Sequence, residues 1–179
     1  EAEDFVDAAS AMLRPRLLDG SGQRFNCAIL NPPYKQINSQ SFHRRRLREA
    51  GIETVNLYTA FLALTAGILE PQGQLVAITP RSFCNGPYYK PFRHFFTAQM
   101  AFRHMHLFEL RDKAFAGDEV LQENIIFHAR KTDLREPVTI TSSRSPQEPN
   151  QVNRTVGYDR VINPHAPHLQ GGLLFPLFA

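Results

Sequence analysis

The sequence has no apolar run of membrane-spanning length and no segment patterned as a secretory signal, which speaks against an integral membrane or exported protein. Cysteine is scarce: Cys27 and Cys84 cannot make a disulfide framework and read as reduced thiols in a cytoplasmic setting. No internal repeat is present. Neither charge sign dominates, since a net +3 and a pI near 9.1 permit a nucleic-acid partner without demanding one. The single Gly-x-Gly, Gly20-Ser21-Gly22, precedes a strand-like run rather than a helix and reads as an ordinary turn, not a phosphate or cofactor loop. What the chain does have is apolar content: 42% hydrophobic residues in 179 suffice for one domain with a real core.

The most informative stretch is Asn31-Pro32-Pro33-Tyr34, at the end of the apolar run Phe25–Leu30. The run is expected to be a buried parallel strand, and its carboxyl end is where open α/β sheets keep their sites. The prolines fix φ, carry no N–H and hold each preceding residue extended. The Asn31 side chain and the Pro32 carbonyl can therefore present two acceptor oxygens from a stiff frame. Such a pair suits a planar amine, whose delocalised lone pair makes it a poor nucleophile until both N–H bonds are held and its growing positive charge is stabilised. Tyr34 adds an aromatic face for a planar substrate, a stack worth roughly 1–3 kcal/mol per base.

With these residues the sequence resembles S-adenosylmethionine-dependent methyltransferases acting on amino groups, and most closely the adenine-specific DNA methyltransferases of bacterial restriction-modification systems. The tetrad alone also occurs in enzymes that methylate protein glutamine. The stretches Asn31 to Phe61 and Thr79 to Phe92 look like the DNA enzymes specifically, within a likeness running from about Glu3 to Lys131. The resemblance implies a Rossmann-like α/β sheet, S-adenosylmethionine as cofactor and double-stranded DNA as partner. It assigns catalysis to Asn31, Pro32, Pro33 and Tyr34, with Asn31 also near the cofactor.

Upstream, Phe5, Val6, Ala9, Met12 and Leu13 share one face of an amphipathic helix that Pro15 ends. By resemblance, Asp4 and Phe5 are the acidic-aromatic pair that accepts from the cofactor's adenine amine and packs on its purine. Read from the residues alone, Asp4 is a helix cap and Phe5 a core residue. The family's glycine-rich loop and first strands have no counterpart here. The chain is thus expected to be the carboxyl-side portion of a catalytic domain, residues 1–131, inactive by itself. Its amino-terminal half and a target-recognition domain would lie elsewhere in the same or another chain.

Between Lys35 and Glu49, five cations (Lys35, Arg44, Arg45, Arg46, Arg48) face one carboxylate, interleaved with amides and hydroxyls suited to phosphate and sugar oxygens. Such runs are often merely solvated faces; beside the substrate loop, Lys35, Arg44, Arg45 and Arg46 are candidate DNA contacts. A helix from a cap at Asn56 is expected to end at Pro71-Gln72-Gly73 and to serve structure only. The strand Leu75–Ile78 follows and completes a βαβ unit. The loop after it puts Arg81, Ser82, Asn85 and Lys90 on the same sheet edge as the tetrad, either as DNA contacts or as ordinary connection.

His104 and His106 share a face of a strand, but no third ligand accompanies them and no metal is expected. Phe115, in a polar turn, is a core plug from its residues alone. The resemblance makes it the second aromatic closing on a swung-out adenine opposite Tyr34, where clamping helps offset the few kcal/mol that base extrusion costs. Six of the thirteen prolines lie from Pro137 onward, so residues 132–179 read as a connector or the start of a further region, with short strands at Val138–Ile140 and Thr155–Val156. The expected activity is transfer of a methyl group to the N6 amine of adenine in DNA. Protein glutamine methylation and a non-catalytic DNA-binding role are the alternatives.

Overall fold

The elements appear where apolar spacing, caps and breakers direct them. The computed structural model describes residues 3–13, 23–108, 124–144 and 152–162. In chain order these form α1 (Phe5–Leu13), β1 (Phe25–Leu30), α2 (Phe42–Glu49), α3 (Leu57–Ile68), β2 (Leu69–Pro80), α4 (Lys90–Gln99), β3 (Met100–Phe108), β4 (Asn124–Lys131), β5 (Val138–Ser143), β6 (Val152–Val156) and the single turn α5 (Tyr158–Val161). Among the described residues no helix is long and apolar enough to cross a membrane.

The strands make one six-stranded sheet in the order β1-β2-β4-β3-β5-β6. β1 and β2 are parallel, with Ala28, Ile29 and Leu30 opposite Leu75, Val76 and Ala77, so the expected βαβ unit is present. β4 runs antiparallel to both β2 and β3. Leu75, Ala77, Ile125, Phe127, Ala129, Met105 and Leu107 are buried on one face, and α3 and α4 contribute Leu62, Leu64, Ile68, Phe92 and Phe96 to the same core. Phe83, Phe92, Phe96, Phe102 and Phe127 form a run of ring contacts at 5.2–6.0 Å through its centre. Removing one such ring costs about 3–5 kcal/mol.

Asn56 caps α3, its side chain accepting the Tyr58 N–H at 3.2 Å. The other end is closed by Lys131, whose ammonium donates to the carbonyls of Ala66 (2.7 Å), Gly67 (3.2 Å) and Leu69 (2.7 Å). These are carbonyls a helix end leaves unpaired, at the negative end of its dipole.

The structure departs from expectation at three places. β1 is parallel but not buried: among the described residues it stands at the edge of the sheet, Cys27 is exposed and Ile29 is 81% exposed. Apolar composition marks a strand, whereas burial depends on what lies on its outer side. Pro71-Gln72-Gly73 does not stop α3, which already ends at Ile68; the three residues form an irregularity inside β2, with Gln72 at φ 70° and the register jumping from Phe25↔Leu69 to Cys27↔Gln74. The sheet also continues past Lys131, because β5 pairs parallel with β3 and β6 antiparallel with β5. Gly20–Gly22, Phe115 and the terminal residues 163–179 lie outside the described residues.

Candidate active site

β1 and β2 deliver the tetrad and the 81–86 loop to the same end of the sheet because they run parallel, Leu30 lying opposite Ala77 and β2 ending three residues later at Pro80. Asn31 is exposed, Pro32 buried, Pro33 exposed and Tyr34 half-buried, so the pair of prolines has one member in the protein and one on the rim. The Tyr34 hydroxyl lies 3.4 Å from the Ile78 carbonyl, which it donates to, and 3.5 Å from Asn31 Oδ1. Its ring meets that of Tyr58 edge-on, 6.1 Å between centroids at 82°. Burial raises the phenol above the ordinary tyrosine range, keeping it a neutral donor. Past the tetrad the chain is strapped down: Leu57 N–H donates to the Lys35 carbonyl at 2.8 Å and Ile37 N–H to the Val55 carbonyl at 2.9 Å.

Asp4 takes up the cap position that its residue type suggests: Oδ1 accepts the N–H groups of Val6 (2.9 Å) and Asp7 (3.2 Å). Oδ2 faces His43 Nε2 at 3.1 Å, and the carboxylate is exposed. Phe5 lies against Phe61 of α3, rings 4.5 Å apart and tilted 30°. An exposed, acceptor-only carboxylate beside an aromatic ring fits the amine and face of a purine. It fits no more of a nucleoside cofactor than that end, and among the described residues no glycine-rich turn joins a strand to a helix.

The basic segment resolves into α2, capped by Ser41, whose hydroxyl accepts the Arg44 N–H. Its charges are mostly matched. Arg44 is buried and paired with Glu53, which also takes Arg48 at 3.3 Å. Arg46 reaches Asp7 of α1 and Glu49, both at 3.3 Å, and covers the Phe42 ring at 4.7 Å. Arg45 lies over the same ring at 5.4 Å and is exposed, as is Lys35. Local sequence charge overstates the free cation here, because Asp7 and Glu53 arrive from outside the counted window.

In the second loop Ser82 and Asn85 are exposed and Arg81 is half-buried, and Lys90, the first residue of α4, is exposed. Three contributors give no sequence signal of a role in the site. Arg93 of α4 is buried and donates from Nη1 to the carbonyls of Phe83 (3.0 Å) and Gly86 (2.6 Å), which sets the loop's path. Tyr58, expected to be purely structural, reaches Ser82 Oγ at 2.9 Å. Tyr88 is a 77% exposed aromatic on the rim. Elsewhere, His104 Nε2 and His106 Nδ1 meet Thr141 Oγ1 at 2.8 and 2.9 Å, and His106 Nε2 meets Ser143 Oγ at 3.1 Å. Both imidazoles are occupied by cross-strand hydroxyls.

A model of the Eco57I restriction-modification methylase family matches residues 1–115. The chain is 48% identical over 167 residues to the type II methyltransferase M.BsuBI of Bacillus subtilis, a match covering 91% of this chain and 33% of that protein. The chain thus spans about a third of the length of this curated relative. Among solved structures, a modification subunit assigned to a type I restriction enzyme of Vibrio vulnificus aligns with a TM-score of 0.62 at 11% identity, over 87% of this chain and 38% of that one. A protein from Listeria monocytogenes assigned as a class I S-adenosylmethionine-dependent methyltransferase aligns at 0.54 and 13% identity, over 76% and 41%. At these identities what is shared is the fold, a Rossmann-like methyltransferase sheet. The family match and the 48% identity lead to one conclusion: the chain belongs to the Eco57I restriction-modification methylase family.

Proposed function

We propose that this chain carries the target-base part of a restriction-modification methyltransferase that methylates the N6 amine of adenine in double-stranded DNA. The observation that carries the reading is the exposed Asn31 carboxamide on a proline-stiffened loop at the carboxyl end of β1. Asn31 Oδ1 and the Pro32 carbonyl accept the two amine N–H bonds and stabilise the charge that develops on nitrogen. Pro33 keeps the frame rigid. Tyr34 stacks on one face of the extruded base and Phe115, by resemblance, closes on the other.

S-adenosylmethionine, when bound, supplies the methyl carbon. Asp4 and Phe5 would hold its purine end, and Asn31 lies toward it. Of the basic candidates, Lys35, Arg45 and Lys90 are exposed and suited to phosphate, with Arg81, Ser82 and Asn85 on the loop beside them. Arg44 and Arg46 contribute by fixing α2 through Glu53 and Asp7.

Residues 1–131, with β5 and β6 extending the same sheet, carry the carboxyl-side part of the methyltransferase domain, which another segment completes, in the same or a second chain. Two observations support this: the span of about a third of the curated relative, and the outer edge of β1, unpaired among the described residues. A target-recognition domain is a further partner of this kind.

The test uses a full-length protein that carries this chain, incubated with labelled S-adenosylmethionine and either plasmid DNA or a glutamine-containing peptide. Label recovered as N6-methyladenine supports the reading. Label in the peptide alone, or in cytosine, overturns it.

A further inference from the structure

Tyr58 sits on the first turn of α3 and is 1% exposed. Its ring is enclosed by Tyr34 (6.1 Å), Tyr89 (5.8 Å) and Phe83 (6.5 Å), a setting that a phenylalanine would fill equally well. A buried hydroxyl in such a place is a cost unless it finds a partner. The hydroxyl is engaged by the Tyr89 side chain and, at 2.9 Å, by Ser82 Oγ, an exposed residue of the loop at the carboxyl end of β2. Burial, foremost, holds the phenol far above its ordinary range, so it remains protonated and able to donate.

Ser82 is also held from the other side. Its carbonyl accepts the Gly86 N–H at 3.0 Å, and a Cβ built on Gly86 would come within 2.9 Å of that same oxygen, so the turn has no slack. Arg93 draws the carbonyls of Phe83 and Gly86 inward. One side chain therefore touches both loops that flank the site: its ring meets the Tyr34 ring at 82°, and its hydroxyl meets Ser82.

We propose that Tyr58 is a positioning residue that fixes the spacing between the Tyr34 stacking face and the 82–86 loop, and through it the fit of an extruded base. This rests on the base-methylating reading above. Displacing Ser82 breaks a hydrogen bond, and rotating Tyr34 meets the Tyr58 ring, so the two rims of the site are held at a set distance.

The test compares Tyr58→Phe, Ser82→Ala and the double variant in a full-length protein that carries this chain. Each single change breaks the Tyr58–Ser82 contact and keeps the core filled; Tyr58→Phe also removes the hydroxyl's interaction with Tyr89. The expected result is a fall of about three- to tenfold in kcat/KM in each single variant, carried by KM for DNA, with no further loss in the double variant. The fluorescence gain of 2-aminopurine at the target position should shrink in step, while the thermal midpoint stays put in Tyr58→Phe and falls modestly in Ser82→Ala, which takes a partner from the buried hydroxyl. Multiplying losses in the double variant overturn the inference, since they would mean that Ser82 acts on DNA independently of Tyr58. Wild-type kinetics and fluorescence in Tyr58→Phe also overturn it, as does a loss that follows the thermal midpoint alone. A wild-type protein that methylates no DNA is distinct from these outcomes: it overturns the parent reading, and this inference with it.

Discussion

His43 of α2 stands 3.1 Å from Asp4 at the head of α1, Nε2 against Oδ2. Asp4 thereby does two things at once, since its other oxygen caps α1. One carboxylate joins the helix that follows the substrate loop to the point where the resemblance puts the cofactor's purine. The Arg46–Asp7 pair makes a second rung between the same helices. His43→Ala should therefore loosen α2. It is expected to raise the KM for S-adenosylmethionine several-fold in a full-length protein while lowering stability by no more than an exposed pair supports, up to about 1 kcal/mol. An unchanged KM would show that the rung carries nothing to the cofactor end.

Asn31→Ala removes one of the two proposed amine acceptors, at an exposed position. Methyl transfer to plasmid DNA should fall by at least the ~100-fold typical of a lost charge-stabilising group. DNA affinity by gel shift should stay within about twofold. Loss of both together would contradict the role given to the side chain.

Ile29 tests the proposal that a further segment completes the domain. It is 81% exposed on β1, so Ile29→Asp should change the stability of this chain by no more than about 0.5 kcal/mol, as for an ordinary surface site. Once a further segment covers β1, the same change should cost about 2 kcal/mol or more, as a buried unpaired charge does. Equal effects in both, read by denaturant titration, would mean that nothing packs there. Calorimetric titration of this chain alone with S-adenosylmethionine should likewise give weak or no heat, and a longer chain should give micromolar binding.

The stability of the sheet is expected to fall on mild acidification. His106 is held below the usual histidine range by burial and then by His104, and His128 by burial and then by Arg103, His104 and Arg130. With folded values below the unfolded value of about 6.5, the unfolded chain binds more protons in the window between them. Stability is therefore full above that window and drops as pH falls through 6.5 toward the lower folded values. Thermal midpoints from pH 7.5 down to 5.5 should decline, and His106→Asn should flatten part of that slope. A rise in midpoint over the same range would reverse the sign of the argument.

Arg93→Met leaves the carbonyls of Phe83 and Gly86 without their guanidinium donor, and should cost about 1–3 kcal/mol by thermal unfolding. Weaker DNA binding should accompany it if the 82–86 loop meets the target strand.

The sequence by itself determined the elements and the chemistry that can be spelled locally. Phe25–Leu30 reads as a strand from composition, Asn56 as a cap from its amide before an apolar helix, and the Asn31–Tyr34 tetrad as a rigid pair of acceptors because proline geometry is intrinsic to the residue. Tertiary structure decided whatever depends on a neighbour distant in the chain. Among the described residues it left β1 at the edge of the sheet, and it brought Lys131 to close α3 from 62 residues or more away. It matched α2's arginines with Asp7 and Glu53, carried the sheet on through β5 and β6, and set the Tyr58 hydroxyl against Ser82. Periodicity reports which way a side chain faces on its own element; only the assembled sheet decides what it faces.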